Sequence, residues 1–276
     1  MPKSSKCPSK CVRLISGINR INIDADNTEA IIELGDYYKY KKDNENTIKY
    51  YLMAIDKGSA EAINKLTEYY KDNIDAMIEL AKYYKDKKDY KEMTKYYLMA
   101  IDKGSSLAMI GLAKYYKHKK YYEEMTKYYL MAIDQGSSEA MIRLGDYYKD
   151  KDYEQMEKYY LMAIDKGSTN TNTMVELGLY YQYIKKDYGN QKNIYIQMKK
   201  YYMMAIQSNN TTAMYQLGLY YKNEDKKKME YYYSMIINNS KTFTDKDKLK
   251  EIIIDLAEYY ESINNFKQME KCYLML

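Results

Sequence analysis

The sequence predicts an all-α protein built as an array of antiparallel helical hairpins, and three observations point there. The decapeptide YYLMAIDKGS begins at Tyr50, Tyr96 and Tyr159, recurs from Tyr128 with Gln135 in place of Lys, and persists as YYMMAIQSNN from Tyr201. A second motif precedes it, as LGDYYK at Leu34 and Leu144, LAKYYK at Leu80 and Leu112, LGLYYQ at Leu177, LGLYYK at Leu217 and LAEYYE at Leu256. Leu80, Leu112, Leu144 and Leu177 stand 32, 32 and 33 residues apart, a period typical of stacked helix pairs. Both prolines, Pro2 and Pro8, precede every repeat, so no ring interrupts a helix further along.

The copy from Ser138 to Ser168 shows why each element forms. Ala140, Leu144, Gly145 and Tyr148 share one face of a first helix, and Met156, Tyr160, Ala163 and Ile164 share one face of a second. The intervening KDKD is a polar turn, short enough to force an antiparallel pair. Gly145, replaced by Ala81 and Ala113 in other copies, is expected to let the two backbones approach closely, with the ring of Tyr148 beside it. Tyr160 is expected to face inward. Tyr159, rotated about 100° from it, is expected to meet the following repeat or the solvent. Gly167 closes the second helix in the left-handed conformation, and Ser168 is the expected cap of the next.

The run A-x-x-x-L-G-x-Y-Y followed by D-Y-E-Q-M-E-K-Y-Y-L-M-A-I-D-K-G, Ala140 to Gly167, resembles the Sel-one-like repeat (SLR) class of the tetratricopeptide (TPR) superfamily. Leu144, Gly145 and Tyr148 match its first-helix signature. Met156, Tyr160 and Ala163 match the second, with Met where the family usually has Ala. The likeness covers Thr28 to the C-terminus and implies a right-handed superhelical solenoid of about seven repeats, whose first helices line a concave, partner-binding face. The family's Gly-containing loop between the paired helices is missing here. The repeat together with the biased composition also resembles proteins of large DNA viruses of amoebae.

That composition comprises 39 Tyr, 20 Met, no Trp and 44 basic residues, of which Arg13, Arg20 and Arg143 are the three arginines. The net charge of +5 is modest and the signs are interspersed, as on a solvated helical surface. Cys7, Cys11 and Cys272 offer no paired spacing for zinc, and His118 is the lone imidazole. The basic start MPKSSKCPSKCVRLISGINRI is broken by Arg13 and makes a poor signal peptide, and no run approaches the roughly 18 apolar residues of a membrane span. A cytoplasmic location is expected, in a host cell or virion if the chain is viral, with no cofactor and no metal. There is no phosphate loop, nucleophile elbow or unexplained carboxylate pair, so no enzymatic activity is expected.

Three irregularities organise the chain. Residues 1–27 form an N-terminal segment, expected to be partly disordered or capping. Residues 28–73 hold the first repeat plus an unpaired helix, because AEAINKLTEYYKDN, Ala60–Asn73, carries the first-helix pattern and then runs straight into another first helix. Residues 74–276 hold regular hairpins with insertions near 183–197 and 238–247. A lone helix shifts the up-down parity of everything after it, so a joint is expected between Lys71 and Asp75.

The expected function is a scaffold for protein–protein interaction through the concave face. The alternative is a structural or assembly component, for example of a virion, with self-association; an RNA-binding array ranks below both, since arginine is scarce and packing absorbs the tyrosines. The candidate partner-binding residues are Lys39, Lys71, Lys85, Lys117, Lys149 and Lys222, which directly follow the YY pairs, together with Tyr188 in the inserted loop. A row of such lysines suits an acidic peptide or helix; the same lysines also suit the negative end of a helix dipole. The Asn-x-Thr site at Asn210 is expected by chance.

Overall fold

The structure, a computed structural model, describes residues 28–185, 190–238 and 245–276. The N-terminal segment with Cys7 and Cys11, the candidate Tyr188, and most of the loop within 238–247 lie outside the described residues. Well over two thirds of the described residues are helical and none is in a strand. The fold class is the predicted one, an all-α array of helical hairpins. The chain divides into two compact units, up to Ala140 and from Met141 onward.

The first unit contains α1 (Thr28–Tyr40), α2 (Asn44–Asp56), α3 (Ala60–Lys71), α4 (Ile74–Asp86), α5 (Tyr90–Asp102), α6 (Ser106–His118), α7 (Tyr122–Asp134) and the first residues of α8 (Ser138–Tyr148). The second contains the rest of α8, then α9 (Tyr153–Asp165), α10 (Thr171–Leu179), α11 (Gln191–Gln207), α12 (Thr211–Tyr221), α13 (Lys226–Asn238), α14 (Lys246–Ser262) and α15 (Phe266–Tyr273). Each first helix pairs with the second helix that follows it, and α3 has no such partner. Residues 191–197 of the first insertion are helical and lengthen α11 at its start, while Tyr180–Ile184 continues α10 as a π turn.

The hairpins α1–α2, α4–α5, α6–α7, α8–α9, α10–α11 and α12–α13 are closed by rings. A Cβ added at Gly35, Gly145, Gly178 or Gly218 would overlap the ring of Tyr51, Tyr160, Tyr202 or Tyr233 on the paired helix. These four rings are fully buried. The ring beside Gly145 is thus Tyr160, and not Tyr148 as the sequence suggests. Tyr148 instead stacks on Tyr159 at 5.9 Å and 13°, so Tyr159 turns toward its own hairpin rather than the next repeat or the solvent. The same stack joins Tyr38 to Tyr50, Tyr84 to Tyr96, Tyr116 to Tyr128, Tyr181 to Tyr201 and Tyr221 to Tyr232, with centroids 5.3 to 5.9 Å apart. Offset pairs of this kind contribute about 0.5–1.5 kcal/mol beyond the area they bury. Where Ala81 replaces the glycine, the Tyr97 ring lies instead against Gly111 of the following first helix.

Two kinds of turn link the helices. Gly58, Gly104, Gly136 and Gly167 take φ near +80°, and Ser59, Ser105 and Ser137 then cap the next helix. At Ser168 the expectation fails, because Asn170, two residues on, caps α10 while the Ser168 hydroxyl accepts from the Asn170 N–H. Between paired helices, Lys42, Lys88 and Lys120 occupy the left-handed position that glycine usually fills, with φ of 59°, 61° and 63°. The next N–H bonds back to Tyr38, Tyr84 or Tyr116, so the turn keeps the C-capping geometry without the glycine.

Three outcomes follow from this packing. Gly145→Ala is expected to destabilise by about 1–3 kcal/mol in denaturant unfolding, since the Tyr160 ring leaves no room, whereas Ala81→Gly is expected to cost under about 1 kcal/mol. Lys88→Gly is expected to stabilise by about 1 kcal/mol, because the left-handed conformation strains any residue with a Cβ; a loss of stability would show that the lysine's contacts outweigh the strain. Burial, then the Glu157 carboxylate, pushes the Tyr180 hydroxyl up to about 12, and burial, then Glu251, does the same for Tyr215. Unfolded tyrosine ionises near about 10, so the native state holds these protons while the unfolded state releases them. Their contribution is complete below that pH and is lost as pH rises from about 10 toward 12. The melting temperature, followed with tyrosinate absorbance, is expected to fall across that window.

Candidate functional site: a groove beside the unpaired helix

The lone helix sets the geometry of the first unit. α3 runs antiparallel to α2, with the Tyr69 hydroxyl donating to Asn44 at the start of α2. The two-residue link Asp72–Asn73 then reverses the chain, and the Asn73 side chain caps α4. α4 consequently lies alongside α2 and parallel to it. The starts of both helices, Asn44 and Asp75, line one end of the cleft between them, and Asp56 and Asp86 line the other. Both neighbours of the Asp72–Asn73 link therefore pack on α2.

The cleft is a groove with two adjoining parts of about 420 and 390 Å³ that share Glu45, Glu79 and Lys82. Its floor is apolar, from Ile48 and Leu52 of α2. Met53 (39% exposed) on one wall and Leu107 (60%) at the start of α6 are left open to solvent. The walls are charged, and Lys82 pairs with Glu79 at 2.6 Å. α3 meanwhile buries only Ala62 and Leu66 and leaves Ile63 49% exposed, although its counterpart Met141 in α8 is buried.

The candidate lysines do not behave as a single row. In the first unit, Lys39 and Lys71 end helices that run up, while Lys85 and Lys117 end helices that run down, so the reversal at Asn73 sends the two pairs to opposite ends. All four are exposed, and the Lys39 ammonium lies 5.5 Å above the Tyr69 ring. In the second unit, Lys149 pairs with Glu176 at 2.6 Å and Lys222 with the buried Asp255 at 2.7 Å. Each of these ties one repeat to the next first helix. The Asp255 carboxylate raises the Lys222 ammonium above its ordinary range.

Sequence reasoning passed over a second polar cluster. Glu157 of α9 accepts from the hydroxyls of Tyr180 and Tyr181 and from Lys185 at 2.9 and 3.1 Å, and Glu230 accepts from Tyr260 at 2.8 Å. These carboxylates pin one hairpin to the next at the two places where the chain carries extra residues. His118 is exposed at the end of α6, Cys272 is free and buried on α15, and Asn210 caps α12 while its amide donates to Thr171. No group of metal-ligating side chains occurs among the described residues, and none of the described helices is long and apolar enough to cross a membrane.

The fold defines a helical-repeat protein. No family model and no curated protein matches the sequence. Among solved structures it is similar to a Sel1 repeat protein from Oxalobacter formigenes, at 18% identity over 83% of this chain and 98% of that one, with a TM-score of 0.48. It is also similar to c5321, a protective antigen of uropathogenic Escherichia coli displaying an SLR fold, at 17% identity over 84% of this chain and TM-score 0.48; the match spans 56% of the antigen. Pseudomonas aeruginosa pilF is a third, at 16% identity over 90% of this chain and 97% of that one, with TM-score 0.45. These likenesses carry no residue roles.

Proposed function

We propose that this chain is a non-enzymatic scaffold that holds a segment of another protein in the α2–α4 groove. The observation that carries the reading is the groove itself, where apolar side chains stay open between two parallel helices. A groove with an apolar floor and charged walls suits an amphipathic helix, whose apolar face fills the floor while its polar residues meet the walls. Lys85 and Lys117, exposed near the Asp56–Asp86 end, extend the surface for any acidic residues of that partner, with electrostatics tuning the encounter. Lys149 and Lys222 contribute through the ion pairs that hold successive repeats together.

The test uses the full chain as bait for its native cell extract, with Met53→Glu/Leu107→Glu as the groove variant and Leu98→Glu, exposed on α5, as the control. Partners identified by mass spectrometry are expected to be lost from the groove variant and kept by the control. Retention by both would remove the reading. Lys85→Glu/Lys117→Glu is expected to weaken binding and its salt dependence with little change in melting temperature, because exposed charges add little to stability. Lys222→Glu, which sets a carboxylate against buried Asp255, is expected to lower it.

A further inference from the structure

The described chain begins at the same end of α2 as the Asp56–Asp86 end of the groove. α1 runs antiparallel to α2, so Thr28 stands at the end of α2 marked by Asp56, where Asp86 and Lys87 form the mouth. Twenty-seven residues precede it. Four of them, 24–27, can span at most about 13 Å, roughly one helix diameter. The residues before those, VRLISGINRINI from Val12 to Ile23, place Leu14, Ile18 and Ile21 at spacings of four and three. Met156, Tyr160 and Ala163 have the same spacing on the buried face of α9. The α2–α4 cleft is about as long as this segment, since the 13 residues of α2 rise about 20 Å.

Charge favours the same match. From Met1 to Ile23 the chain carries Lys3, Lys6, Lys10, Arg13 and Arg20 and no acidic residue, whereas six carboxylates and four lysines line the groove. A basic segment with an apolar stripe thus complements, in charge and hydropathy, an apolar floor between net acidic walls, and four residues of sequence separate it from Thr28.

We propose that residues 12–23 of the same chain dock in the α2–α4 groove, with Leu14 toward Leu107 and Ile21 toward Met53, and so compete with the external partner for its site. This rests on the groove reading above. A tether confers an effective concentration in the millimolar range, so even a weak internal segment holds the site until a stronger partner displaces it.

Native Cys11, next to Val12, supplies the test. Full-length protein with Cys7→Ser and Leu107→Cys is oxidised with glutathione disulfide at high dilution. A disulfide between Cys11 and the introduced thiol is expected within single chains, at a yield independent of protein concentration, whereas Leu98→Cys, away from the groove, is expected to link poorly. In parallel, a synthetic peptide of residues 10–24 is expected to bind full-length Ile18→Asp about tenfold more tightly than wild type, because the substitution removes an internal competitor. Equal linking at both positions, linking only between chains as a second copy's segment would give, or equal peptide binding would each overturn the proposal. Failed linking while Met53→Glu/Leu107→Glu still releases captured partners removes this inference alone. Efficient linking with no partner lost on those substitutions removes the partner reading instead.

Discussion

A tyrosine ring packed against a residue without a side chain is the contact on which the rest of this structure depends. At Gly35, Gly145, Gly178 and Gly218 the missing Cβ lets the second helix approach until its buried tyrosine covers the first-helix backbone. Three of these rings then reach a polar group on the paired first helix or its π-turn extension: Tyr51 donates to Asp36, Tyr160 to Asp146 and Tyr202 to Gln182, at 2.7 to 2.8 Å. The ring therefore fills the crossing while its hydroxyl stays satisfied, as a buried phenol requires. In these four hairpins the second tyrosine of the first helix stacks on the first tyrosine of the second, and the hairpins with Ala81 and Ala113 form the same stack without the glycine. Lysines such as Lys49, Lys95 and Lys158 lie over the outer rings of those stacks, 5.1 to 5.7 Å from their centroids. The YY pairs thus perform two different jobs, one ring closing the crossing and the other closing its edge.

The consequence of omitting one such contact is visible at α3. Its small-residue position is Thr67, which is exposed, and the link to α4 is only two residues long. The chain reverses there, so a helix with first-helix sequence, α4, comes to lie parallel to a helix with second-helix sequence, α2. Neither presents a glycine to the other's tyrosine, and they meet with a groove between them. A single missing helix accounts for the open groove and for the division of the lysines between two ends.

Much of this was legible in the sequence because the information repeats. Period, hairpin pairing, the glycine crossing and the glycine-serine turns all follow from residues within about forty positions of one another. The assignment of rings depends on more than helical rotation. Helical rotation separates Tyr159 from Tyr160 by about 100°, but a second helix has neighbours on two sides, and a large ring at the boundary can lean either way. Ser168 was displaced as a cap because STNTN offers Asn170 as well, two residues on. The partners of Lys149 and Lys222 lie on the next first helix, so a pattern read one helix at a time shows only their solvent-facing position. The missing helix shows in the sequence as a break of parity, but residue pattern defines only which face of α4 is apolar, and the groove depends on how that face meets α2 once the direction of α4 is reversed.

The direction of α4 against α2 is therefore the feature most worth measuring. Spin labels introduced in the full chain in two pairs, at Met53 with Lys87 and at Glu45 with Lys87, report it by pulsed electron resonance. The parallel arrangement predicts the shorter distance for Met53 with Lys87 and the longer for Glu45 with Lys87. The reverse order would mean that α4 runs against α2, and the groove, with everything assigned to it, would have to be abandoned.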